Sequence, residues 1–159
     1  MLQNKVGLEM FTDSLRDFYK RLKYKTGGWS DLQTSFETIS GIELNDFFSQ
    51  WLDRNDIPDL FVRQAEIKNS DGYPVLSFNI EQKNKTPYVL EVPAIIKTST
   101  EEITKTLSVS DSSSTFEIPL TSIPDTLVID PEYDIMRTLA PSELPATWSP
   151  HLGAANKIA

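Results

Sequence analysis

Apolar positions change their period once along this chain. Up to residue 57 they recur every three or four residues. Val6, Met10, Phe11, Leu15, Phe18 and Leu22 form one stripe and predict a helix over 6–25. Gly27-Gly28 stops it, with Lys20, Arg21, Lys23 and Lys25 in the last turns, where cations favour the helix dipole. A second helix opens at Ser30, with Ser30 and Gln33 spaced as a capping box. Leu32, Phe36 and Ile39 are its apolar face, and Gly41 ends it. A third runs over 44–54 and turns Leu44, Phe47, Phe48, Trp51 and Leu52 inward. Trp29 is expected as a wedge between helices, and Ile57-Pro58 forces an extended exit.

Beyond Pro58 the period becomes two. Leu76, Phe78 and Ile80 alternate with Ser77 and Asn79, and Tyr88, Leu90, Val92, Ala94 and Ile96 form a second alternation. Ile103, Leu107 and Val109 form a third, Phe116, Ile118 and Leu120 a fourth, and Leu127 with Ile129 a fifth. Residues 60–68 make another strand whose alternation breaks at Arg63-Gln64, as at a bulge. Turn residues separate these runs at 69–72, 84–87 and 111–114, and the serine-rich stretch 108–115 reads as a turn. The ten prolines agree with this division, since all lie at or after residue 58. The expected fold is α+β: a three-helix segment over 1–57, an antiparallel β-sandwich over 58–130, and an irregular tail over 131–159 packed on the rest.

Composition narrows the function. Among the 159 residues there is no cysteine, which excludes disulfides, thiolate metal sites and a cysteine nucleophile. The net charge of −8 argues against binding nucleic acid by phosphate neutralisation. No apolar run approaches the roughly 20 residues needed to span a bilayer. Residues 1–5 lack the apolar core of a signal peptide, and the compartment stays open.

Candidate chemistry is sparse. His151, the one imidazole, lies in a proline-punctuated tail with no G-x-S-x-G elbow anywhere, and reads as a surface side chain. Asp130, Glu132 and Asp134 alternate as calcium ligands can, yet Ile135 and Pro141 stand where a calcium loop needs glycine and glutamate. Asp53-Arg54-Asn55-Asp56 fails in the same way, because Ile57 and Pro58 follow. The cations at 20–25 read as a solvated helix face, and Asn84-Lys85-Thr86 is a glycosylation triplet of little weight before Pro87. Trp29, Trp51 and Trp148 could line a carbohydrate platform; Trp51 sits at helical spacing with Phe47 and Phe48 and reads as core, leaving Trp148 exposed. No catalytic, cofactor-binding or metal-ligating residue is assigned.

The order of residues carries more. Val6-Gly7-Leu8-Glu9-Met10-Phe11, Leu15-Arg16-Asp17-Phe18-Tyr19, Tyr24-Lys25, Ser30-Asp31-Leu32, Ile39-Ser40-Gly41, Phe47-Phe48-Ser49-Gln50-Trp51-Leu52 and Ile57-Pro58 follow one another as landmarks. This succession resembles the end of the catalytic domain of zinc aminopeptidases related to aminopeptidase N. There a glycine-x-proline step leads into a β-sandwich; Asp56 replaces that glycine here. Leu76 to Gln82 resembles the family's leucine-x-x-x-glutamine strand, and Pro93 falls in the next strand as expected. The likeness covers residues 6–100 well and the remainder loosely.

In that family a zinc site, H-E-x-x-H with a later glutamate, activates water against a peptide carbonyl, with a glutamate as base. Those motifs do not occur in this chain. The resemblance therefore implies a C-terminal piece of a longer metallopeptidase, with zinc in the parent only and Met1 as a start within its frame. The implied partner is the upstream catalytic domain of the same polypeptide. Part of the helix stripe should then be exposed, or paired with another copy. The alternative is a free-standing, non-enzymatic protein- or carbohydrate-binding module.

Overall fold

The computed structural model describes residues 1–70, 72–140 and 143–144. Four helices come first: α1 (Leu2–Val6), α2 (Leu8–Leu22), α3 (Trp29–Ser40) and α4 (Asn45–Leu52). Six strands follow: β1 (Leu60–Ser70), β2 (Tyr73–Gln82), β3 (Leu90–Thr98), β4 (Glu102–Val109), β5 (Ser113–Pro119) and β6 (Pro124–Ile129). The fold is α+β, with the helices N-terminal as expected.

The expected first helix is broken in two. Gly7 has φ 83°, a left-handed value that costs glycine little, and it separates α1 from α2. The cap of α3 also differs from expectation. Gly28 is the N-cap, and its N–H donates to Asp31 Oδ2 at 2.9 Å, so Asp31 does what Gln33 was expected to do. Trp29 is no wedge: it is 63% exposed at the first position of α3. Gly41 ends α3 in the left-handed conformation, φ 70°. Glu37 Oε1 then accepts from Gln33 Nε2 and the Leu44 N–H, both at 2.9 Å, and ties the end of α3 to the start of α4. These bonds hold the Glu37 carboxyl below its ordinary pKa, Gln33 contributing most.

Val6, Phe36, Leu44 and Phe48 form the buried centre of the helices, with Met10, Phe11, Leu32 and Phe47 against them. Phe11 meets Phe36 edge-on at 5.4 Å between ring centroids.

Two antiparallel three-stranded sheets take the rest, in orders β1-β2-β5 and β4-β3-β6. The chain changes sheet at β2–β3, β4–β5 and β5–β6. The bulge expected at Arg63-Gln64 is present: the β1–β2 register shifts between Arg63 and Glu66, and Gln64 has φ 51°. Two expectations fail. Ser77 is buried rather than outward. The stretch 108–115 is mostly strand, because β4 runs to Val109 and β5 begins at Ser113. Ser108 and Ser113 are exposed strand residues, and Ser110 and Ser112 lie in the short connection between the strands.

Leu76, Phe78, Ile80 and Ile118 of one sheet join Leu90, Val92, Ala94, Ile96, Leu107 and Val109 of the other in one buried cluster. Pro93 survives in the central strand β3 for a local reason. Its carbonyl accepts the Asp130 N–H at 2.6 Å, so its donorless edge faces the point where the β6 ladder has ended.

After β6 the chain is clamped back. Asp130 and Arg137 side chains are both fully buried and paired at 2.9 Å. Asp130 Oδ1 also accepts the Ile135 N–H, and Glu143 closes on the other side of the guanidinium at 2.7 Å. Burial alone would lower the Arg137 pKa; the Glu143 and Asp130 carboxylates hold it above its ordinary value. Thr138 reaches the exit segment, its N–H donating to Pro58 O at 2.8 Å. Pro141, Pro145, Trp148, Pro150 and His151 lie outside the described residues.

Two substitutions test this packing. Phe36→Ala, at a fully buried site, is expected to cost about 3–5 kcal/mol. Arg137→Met leaves the Asp130 carboxylate buried without its cation and is expected to cost about 3 kcal/mol. Urea unfolding followed by circular dichroism reads both.

Candidate functional site

The helices and sheets meet at the segment between β2 and β3, and side chains hold it there. Gln82, at the end of β2, is buried. Its Oε1 accepts the Tyr88 N–H at 2.8 Å, and its Nε2 donates to Tyr88 O at 2.9 Å. Gln50 of α4 treats the next residue in the same way: its Oε1 accepts the Val89 N–H at 2.7 Å and its Nε2 donates to Val89 O at 3.1 Å. Two carboxamides thus replace a strand ladder on consecutive residues.

Arg54, just past α4, completes the weld. Its guanidinium forms a two-bond fork with Asp56, at 3.0 and 2.9 Å. It also donates to Thr86 O and Pro87 O, and it stacks on the Tyr88 ring with 3.4 Å to the centroid. The Tyr88 hydroxyl donates to Asp56 O at 2.6 Å. Asn84 Nδ2 donates to Asp56 Oδ2 and Ile57 O, while its Oδ1 accepts the Asp59 N–H. Trp51 lies against Tyr88 at 5.3 Å and packs on the sheet cluster, which agrees with its reading as core.

Charges follow from this geometry. The Arg54 hydrogen bonds, then those of Asn84 and Tyr88, hold the Asp56 carboxyl well below the usual carboxylate range. Its bond to Asp56 raises the Arg54 pKa. Burial pushes the Tyr88 phenol up, and its bond to Asp56 adds to this.

Beside the weld lies a cleft of about 270 Å³, lined by α1, α4 and β3. Phe47, Trp51, Pro93 and Ile135 give it apolar walls; Lys5, Glu91 and Asp134 stand at its polar rim. Asp134 accepts from Asn4 Nδ2 at 3.2 Å, and Glu91 accepts from the Ser108 hydroxyl. The chemistry available here is binding by shape and a few charges.

Candidates named from the sequence are dispersed by the fold. Asp130 is committed to Arg137, Asp134 faces the cleft and Glu132 is exposed, so the three carboxylates do not converge. Asp56 belongs to the weld rather than to a loop site. Asn84 is occupied by three hydrogen bonds. Of the cations at 20–25, Arg21 bonds Asp17, Asp31 O and Ser35 Oγ, while Lys20, Lys23 and Lys25 are exposed. Among the described residues no group of three or more histidine, aspartate or glutamate side chains could hold a metal ion. Also among them, no helix is long and apolar enough to cross a membrane. The Gln50–Val89 and Arg54–Tyr88 contacts carry no short motif of their own; only the neighbouring Phe47, Phe48 and Trp51 marked the place.

Part of α2 stays uncovered among the described residues. Leu8 is 66%, Leu15 41% and Tyr19 62% exposed on the outer side of α2.

The weld gives the protein a definite acid response. Because the Asp56 pKa is depressed in the folded state, its contribution is fully present above the unfolded carboxylate value, about 4, and is lost as pH falls below it. The urea midpoint is expected to fall on acidification below about pH 4. Asp56→Asn is expected to lower the midpoint at neutral pH and to flatten that acid limb; an unchanged limb would disconnect Asp56 from it. No protein-family model matches the chain, and no curated protein matches it.

Proposed function

We propose that this chain is the non-catalytic C-terminal part of a zinc aminopeptidase related to aminopeptidase N. In this reading, residues 1–57 back the catalytic domain and residues 58–130 are the β-sandwich that follows it. The parent's chemistry is zinc-dependent peptide hydrolysis, carried by residues outside this chain. The chain contributes a wall and the rigid connection to the sandwich.

The observation that carries the reading is the open side of α2. The helices bury only Val6, Phe36, Leu44 and Phe48 well, while Leu8, Leu15 and Tyr19 stay exposed in one stripe. An apolar helix face of this kind lies against something in the complete protein. The upstream catalytic domain is the neighbour the resemblance supplies. The single buried cluster shared by the two sheets supports face-to-face sandwich packing. The alternative binding module needs an exposed aromatic row. Phe61 lies under the Lys83 ammonium, Phe116 packs on Phe78, and Tyr73 is exposed alone at a hairpin end.

The coding sequence upstream of the Met1 codon tests the reading. An open frame encoding H-E-x-x-H and a downstream glutamate is expected; a stop codon with a ribosome-binding site directly before Met1 overturns it. The purified chain, supplied with zinc, is expected to hydrolyse no aminoacyl anilide. Zinc-dependent turnover removed by a chelator would overturn the assignment of the chemistry to upstream residues.

A further inference from the structure

The turn between α2 and α3 carries an unusual surface for an acidic chain. Residues 18–30 hold four of the 15 cations, Lys20, Arg21, Lys23 and Lys25, and none of the 23 acids. By charge alone this is a solvated helix end. The structure adds two uncovered aromatic side chains: Tyr24 is 94% and Trp29 63% exposed. Every residue from 23 to 30 is exposed, so the turn projects from the helices.

Local contacts give the turn a definite shape. The Lys25 N–H donates to Leu22 O at 2.8 Å, and Tyr24 between them has φ 65°, a left-handed value that costs a tyrosine strain. Gly27 lies so close to α2 that a Cβ there would meet Leu22 Cδ1 at 2.8 Å and Phe18 Cζ at 3.1 Å. Arg21 then ties α2 to the start of α3 through Asp31 O and Ser35 Oγ. Trp29 and Tyr24 are thus held at one end of the helix pair.

The charges there are not spent within the chain. Asp17 is taken by Arg21, and Asp31 accepts the Gly28 N–H. Among the described residues Lys20, Lys23 and Lys25 have no carboxylate partner, and the Lys23 ammonium lies over the Tyr24 ring at 4.9 Å. Exposed tyrosine and tryptophan beside lysines suit a lipid headgroup layer: the rings enter the interface and the ammonium groups meet its negative charge. We propose that this turn docks on anionic phospholipid bilayers, with Tyr24 and Trp29 among the headgroups and Lys20, Lys23 and Lys25 against their charge. A flat bilayer touches only the projecting tip, whereas a nucleic acid strand follows an extended basic groove, and acids outnumber cations over the rest of this chain. The proposal goes beyond the parent reading and leaves the stripe of Leu8, Leu15 and Tyr19 unused.

Flotation of the whole chain with extruded vesicles tests this. Phosphatidylcholine vesicles with about 30% phosphatidylserine are expected to carry the chain at low salt and release it as salt rises. Phosphatidylcholine alone is expected to carry about tenfold less. Lys20→Glu with Lys23→Glu and Lys25→Glu is expected to abolish binding, and Tyr24→Ser with Trp29→Ser to weaken it about tenfold. Lys105→Glu, at an exposed position on β4, is expected to change binding less than about twofold. Circular dichroism matching the parent chain verifies that each variant folds. No binding to the phosphatidylserine vesicles overturns the proposal, as does binding that the tip variants leave unchanged or that Lys105→Glu weakens equally. Retention on poly(U) RNA, lost in the same tip variants, would assign the turn to nucleic acid and overturn it as well. The coding sequence upstream of Met1 is decided separately, so failure here and failure of the parent reading are distinguishable.

Discussion

Tyr88 is where the helices and sheets become one object. The segment between β2 and β3 has no ladder partner of its own, and unpaired backbone groups inside a protein are expensive. Gln82 serves the backbone of Tyr88 from the sheet side, and Gln50 serves Val89 from α4. Arg54 and Trp51 then close on the Tyr88 ring from the helical side. Among the described residues only the Asn4–Asp134 hydrogen bond, the packing of Met1 and the tail add to this junction across Ile57-Pro58. The tail adds a strap at the same point through the Thr138 bond to Pro58 O. Buried Asp130 and Arg137 keep that strap in place.

Much of this fold was legible from residue order. Six strands lie where the sequence predicted them, and β3 shows the reason most plainly, burying Leu90, Val92, Ala94 and Ile96 at alternate positions. The bulge at Gln64 was legible too, since a register shift must show as a break in alternation. The misses share one cause. The break at Gly7, the Gly28–Asp31 cap and the exposure of Trp29 depend on backbone angles and on which face meets a neighbour. Periodicity records the apolar stripe but not what covers it.

The weld was legible only in part. Phe47, Phe48 and Trp51 marked α4 as a packing helix, and the alternation of Leu76, Phe78 and Ile80 marked the strand that ends at Gln82. Gln50 and Arg54, which do the joining, carried no signal of that role in the sequence. A glutamine that bonds both backbone groups of one residue has no spacing signature, because its partner is distant in sequence. The three carboxylates at 130–134 are the opposite case: their spacing invited a metal reading, and the fold separated them by burying Asp130 under Arg137.

A rigid weld also changes what the helices can be. An adaptor that merely tethers a sheet module needs a flexible connection, yet here α4 shares hydrogen bonds, a stacked guanidinium and an indole with the sheets. The open stripe of α2 lies in that rigid body, so whatever occupies it is fixed in orientation relative to the sheets.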